Sequence, residues 1–151
     1  IVERDRTKLA SKLAELPDAP DLLSALAKLG EHYTVEEPQY KRVLCIEIGV
    51  EATRNPVVGD IFRSVDEFCR QNFAQVFAQA RDAGKIAPNA DPETLAQVVS
   101  LLGDGLFWRR AVDPNFDAQK ILPILVGLVS TLLNPVEVRT PVKSRKAEAA
   151  E

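Results

Sequence analysis

Methionine is absent from these 151 residues, and the chain opens on Ile1. Ile1 is therefore not a retained initiator, and we expect further sequence upstream of it. Histidine occurs once, as His32, and cysteine twice, as Cys45 and Cys69. A di-iron carboxylate bundle needs paired Glu-x-x-His motifs, and neither Glu47 nor Glu51 has a histidine three residues on, so that chemistry is excluded. His32 falls near a predicted helix end, where an imidazolium is a favourable charge for the dipole. The two cysteines lie far apart inside helical patterns, without a CxxC motif or a disulfide framework, and are expected as small buried thiols. A phosphate-cradling glycine loop, a zinc motif and a serine nucleophile elbow are also missing. These gaps argue against an enzyme and leave no cofactor or metal to expect. One enzymatic alternative survives, with Glu47 and Glu51 as an acid/base pair. It requires at least one of them to face inward with a raised pKa.

Long apolar runs are scarce as well. The longest, residues 121–133, is interrupted by Pro123, Gly127, Ser130 and Thr131, and falls short of the roughly 20 apolar residues that span a bilayer. No stretch has the layout of a signal peptide, so a cytoplasmic location without membrane contact is expected. A net charge of -3 lacks the basic surplus of a nucleic-acid-binding surface. Period-2 alternation and internal repeats are absent too. With 46% hydrophobic residues in a chain of this length, the sequence predicts one all-α domain with a real core.

Helices are legible one after another. Val2, Leu9, Leu13 and Leu16 share a face of a first helix over residues 1–16, which starts without a capping residue. Asp18 and Pro20 open a second, with Leu22, Leu23, Leu26, Leu29 and Tyr33 as its stripe. Thr34 and Glu37 have capping-box spacing before a third, over residues 38–53. There Tyr40, Leu44, Glu47 and Glu51 share a face, and the glutamates either look out to solvent beside Arg54 or line a cavity. Asn55-Pro56 starts the longest amphipathic segment, residues 57–83, with Gly84 as its C-cap. Asn72 falls within that apolar stripe, as a satisfied interhelical amide or as a ligand contact. Asp91-Pro92-Glu93 is a strong start for the fifth helix, which Arg109 and Arg110 close favourably.

The fifth and sixth helices, residues 92–112 and 117–133, carry most of the information. From Ile121 onward the sixth is apolar on nearly every side, which demands partners on more than one face. A second copy of the chain is the simplest partner. Gly103 and Gly105 would let helices approach closely, at about 1 kcal/mol each in helix propensity. The reading is an antiparallel bundle of about six helices whose last two form a four-helix bundle across a two-fold axis. Its interface would comprise Val99, Leu102, Gly103, Gly105, Leu106, Ile121, Leu122, Leu125, Leu128, Val129 and Leu132. The alternatives are a hairpin buried within one subunit and a helical adaptor that binds a different protein. Residues 1–133 form the domain in this reading, and residues 134–151, with almost nothing apolar to bury, are expected as a disordered tail.

The run Glu47 to Pro56, with Ala52, Arg54, Asn55 and Pro56 in an A-x-R-[ND]-P pattern, is followed by Ala83-Gly84-Lys85-Ile86, Asp91-Pro92-Glu93 and Leu102-Gly103-Asp104-Gly105-Leu106. In this order they resemble the ligand-sensing and dimerisation domain of TetR-type bacterial transcriptional regulators, over most of residues 40–133. The resemblance implies that residues 1–16 are the linker helix to a helix-turn-helix head missing from this chain, so operator DNA would be bound only through that head. It further implies a homodimer and a small lipophilic or cationic effector whose binding shifts the linker helix and releases DNA. Tyr33, Tyr40, Leu44, Phe62, Cys69, Phe73, Phe107 and Trp108 would form the apolar walls of the effector site, with Glu47, Glu51 and Asn72 as polar anchors. Repressor and activator both remain open.

Overall fold

The computed structural model describes residues 2–136, with side chains from residue 8 onward; the tail expected beyond residue 136 lies outside the described residues. Six α-helices follow one another: α1 (Val2–Ala14), α2 (Leu22–Glu31), α3 (Gln39–Ala52), α4 (Pro56–Asp82), α5 (Pro92–Val112) and α6 (Ala118–Leu133). Among the described residues the one extended pairing is an isolated antiparallel bridge between Ile86 and Pro135. The fold is all-α, as the periodicity indicates. No described helix is long and apolar enough to cross a membrane.

Most helix starts follow the capping residues. The Asn55 side chain accepts from the N–H groups of Val57 and Val58, and Asp91 and Asp117 accept from Thr94 and Lys120 at the starts of α5 and α6. Gly84 closes α4 at φ +69°, a conformation costly for any side chain. At two starts the expectation needs correction. The cap of α2 is Asp21, which accepts from Ser24 N–H at 3.1 Å, because Pro20 precedes the helix and does not begin it. The Thr34–Glu37 capping box does not form either. The chain runs on from α2 through a π-helical turn, His32–Glu36, in which the Thr34 hydroxyl donates to the Gly30 carbonyl at 2.6 Å. A hydroxyl held by the turn behind it cannot cap the helix ahead.

α4 is the spine, about 40 Å long at 1.5 Å per residue. Its C-terminal half carries Val76, Phe77 and Ala80 into a core shared with Leu13 and Leu16, Leu22 and Leu29, Leu95 and Ala96, and Leu133. Lys85 braces this end by donating to the carbonyl of Pro17 at 2.5 Å. Residues 134–136 belong to the folded body: Ala87 N–H donates to the Asn134 carbonyl and Val136 N–H to the Lys85 carbonyl. α3 packs against α4 and α5 through Arg42, Ile46 and Gly49. Gly59 allows the tight α3–α4 corner, where a Cβ would stand 2.9 Å from the Ala52 carbonyl oxygen.

Candidate functional site: an apolar cavity with an acidic rim

The core fills one end of the bundle, and above it the helices splay around a cavity of about 460 Å³. That volume lies within the range of small-molecule sites. α4 supplies Phe62, Val65, Asp66, Cys69 and Phe73 at helical spacing, continuing upward the stripe that ends in Phe77. α5 faces it with Ser100, Gly103, Asp104 and Phe107, and α6 closes one side with Leu122, Leu125, Val126 and Val129. Leu23, Leu26 and Leu29 of α2, Tyr33 and Thr34 of the π-helical turn and Leu9 of α1 complete the wall. Lys12, also on α1, holds its ammonium 5.6 Å from the centroid of the Tyr33 ring, so two α1 side chains bear on the cavity or its wall.

Of the expected wall residues, the structure brings together Tyr33, Phe62, Cys69, Phe73 and Phe107. Tyr40, Leu44, Glu47, Glu51, Asn72 and Trp108 lie outside the cavity lining. Tyr40 is 69% exposed and Leu44 is exposed, because α3 turns the Arg42, Ile46 and Gly49 face inward, not the Tyr40, Leu44, Glu47 and Glu51 face. Arg42 is buried; its guanidinium donates to the Glu37 carbonyl and to Gln39 Oε1. Burial, and after it the neighbouring Arg110, pull its pKa down from the usual arginine value. Glu51 accepts from Arg54 Nε at 2.6 Å and from Asn55 at 3.2 Å. Those hydrogen bonds hold its carboxyl below the usual glutamate range. An ion-paired, outward carboxylate does not supply the inward, raised-pKa acid that the enzymatic alternative requires. With Glu47, Glu51 borders only a shallow surface groove between α3 and the start of α4. Asn72 donates to the Phe68 carbonyl one turn back, at 2.7 Å, and is satisfied within its own helix.

The polar groups of the cavity are ones the sequence reading passed over. Asp66 stands at i+4 from Phe62 and i−3 from Cys69, on the inward stripe, and Ser100 and Asp104 are the only polar side chains between Gln97 and Arg109. Charge embedded in an apolar stripe was the available signal. Asp66 and Asp104 are both exposed, at the rim of the cavity. Even so, burial against the cavity wall pushes the Asp104 carboxyl above the usual aspartate range, and the negative charge of Asp66 adds to the shift. Neither cysteine is buried: Cys69 lies on the cavity wall and Cys45 is exposed on α3.

Residues 33–134 match the family model of the BetI-type transcriptional repressor C-terminal domain. The chain is a TetR-type C-terminal domain of that family. Among solved structures it is similar to Salmonella enterica GusR, with a TM-score of 0.72 at 20% identity, covering 87% of this chain and 68% of the other. No curated protein matches the sequence. The family is one of transcriptional regulators and not a class of enzymes.

The outer surface of the TetR-type domain holds a second feature. Leu101, Trp108 and Val112 of α5, and Ile124, Leu128 and Leu132 of α6, form exposed apolar rows opposite the cavity-facing sides of both helices. Gly105 and Gly127 are exposed as well, with nothing within 4 Å of an added Cβ. Of the interface residues expected from sequence, Gly105, Leu128 and Leu132 are on this surface. Val99, Leu102, Gly103, Leu106, Leu122, Leu125 and Val129 instead line the cavity, and Ile121 is half-buried. Both sides of each helix are apolar, so periodicity alone could not sort inner from outer.

Proposed function

We propose that this domain senses a small-molecule effector in the cavity and homodimerises through the outer rows of α5 and α6. Effector binding shifts α1 and so detaches an N-terminal helix-turn-helix head from operator DNA. The observation that carries this reading is the composition of the cavity wall. Leu9 is on it, and Tyr33 stands between the cavity and Lys12, so a guest that displaces either side chain acts directly on the helix leading to the head. The effector works only to the extent that it binds one position of α1 better than another. Two heads moved in opposite senses about a two-fold axis then no longer match successive major grooves.

Gly103 offers a direct test. It lies on the cavity wall with nothing within 4 Å of an added Cβ, so a larger side chain is accommodated by the fold at the expense of the cavity. The neutral fluorophore N-phenyl-1-naphthylamine should bind the wild-type chain, and Gly103→Leu should weaken binding by about tenfold or more, the loss of a tight apolar fit. Equal affinity for the two proteins would exclude the cavity as the binding site. The exposed outer rows also favour a second reading, a non-enzymatic adaptor that binds a different protein through α5 and α6; oligomeric state separates the two.

A further inference from the structure

The effector cavity combines two chemistries. Most of its wall is aliphatic or aromatic, with the ring of Tyr33 from the π-helical turn, those of Phe62 and Phe73 from α4 and that of Phe107 from α5. Such a wall stabilises a guest through the apolar surface it removes from water. Across it stand two carboxylates on different helices, Asp66 on α4 and Asp104 on α5, close enough for the charge of one to act on the other. Among the described residues that line the cavity there is no lysine, arginine or histidine. The nearby cation Arg70 acts on Asp66 through space but is not on the cavity wall. Its guanidinium is held by Glu67 and, at 2.5 Å, by Glu93. Lys12 sits over Tyr33 and is not itself on the wall.

An anionic guest would therefore meet two like charges and no counter-charge on the wall itself, and a neutral one would leave the repulsion between the carboxylates in place. A guest with one positive centre relieves that repulsion and presents its charge to the faces of the aromatic rings. Its remaining bulk must be apolar, because a small polar cation would leave most of the cavity unfilled. The geometry points to an organic cation with a large apolar body as the effector class, its positive centre seated between Asp66 and Asp104. This inference rests on the cavity being the effector site. It adds a structural consequence, since a cation shared by the two carboxylates ties α4 to α5 at the rim.

The test displaces N-phenyl-1-naphthylamine from the 151-residue chain with four compounds: decyltrimethylammonium, decanol, decanoate and tetramethylammonium. Decyltrimethylammonium should bind about tenfold or more tightly than decanol, as expected for one charge pair at a partly solvated site, and decanoate should bind most weakly of the three decyl compounds. Tetramethylammonium, the head without the tail, should lose at least about tenfold relative to the decyl cation. In Asp66→Asn/Asp104→Asn the ratio of cation to alcohol affinity should fall toward one. Decanoate or decanol binding as tightly as the cation would overturn the inference, as would a preference that persists in the double variant. The wild-type series decides the matter even if that variant fails to fold. Absence of any binding by the neutral fluorophore would overturn the effector-site reading itself. Fluorophore binding without charge preference would overturn only this inference.

Discussion

Asp104 shows how a single side chain is set against the stability of its own fold. Its carboxyl titrates above the ordinary aspartate range because burial at the rim, and then Asp66, disfavour the charged form. A raised acid pKa means that the native state binds its proton more tightly than the unfolded chain does. The associated stability is present in full below the unfolded value, near 3.8, and is lost as pH rises through the folded value. At neutral pH the charged Asp104 therefore strains the domain, and Asp104→Asn should raise the melting temperature at pH 7. The gain should shrink as pH falls toward the carboxylate range. Thermal unfolding of both proteins across that span measures it, and a constant difference would refute the linkage. Phe77 is the opposite case, fully buried where α4 meets α1 and α5. Phe77→Ala should cost about 3–5 kcal/mol in urea unfolding, through lost burial and the void left behind.

At the scale of elements, α6 carries an internal strain of its own. Pro123 lies within the helix, where it has no N–H to donate to the Gln119 carbonyl. Pro123 is exposed, so Pro123→Ala should restore that bond without disturbing the core and stabilise the domain by about 2–3 kcal/mol. Unfolding in urea with an unchanged slope would register the gain as stability and not as altered compactness. α3 shows where periodicity misleads. Its inward positions include Arg42, whose guanidinium satisfies the carbonyl end of the π-helical turn, and a reading that sends apolar residues inward cannot choose an arginine. Gln39, next to it, donates to the Ala111 carbonyl at 2.7 Å and pins α3 to the end of α5. These polar ties leave Tyr40, Val43, Leu44 and Ile48 exposed.

For the whole molecule, the proposed dimer rests on the outer rows of α5 and α6. Leu101 is 69% exposed, Ile124 59% and Trp108 50%, on two neighbouring helices, with glycine between the bulky positions. Large contiguous apolar surface of this kind marks an interaction site. In sedimentation velocity at micromolar concentration the chain should run as a dimer, and Trp108→Glu/Leu128→Glu should convert it to a folded monomer that retains its helical circular dichroism. A wild-type monomer would favour the adaptor reading instead. Two-fold symmetry would place Trp108 and Leu128 against the same patch of the second copy, so one pair of charges acts twice.

The chain by itself determined the class of fold, the order of the helices, the caps of α4 and α5 and the family, because each depends on residues close together in sequence: a periodic stripe, Asn55-Pro56, Asp91-Pro92, Gly84. It also required α6 to have partners on two sides. Only the tertiary structure decided which side faces which partner, and therefore that Trp108 looks outward while Leu122 and Leu125 line the cavity. The same holds for the polar groups of the site. Asp66 and Asp104 are 38 positions apart in sequence and acquire their joint character only when α4 and α5 are laid side by side, since the field between two charges depends on distance through space and not along the chain.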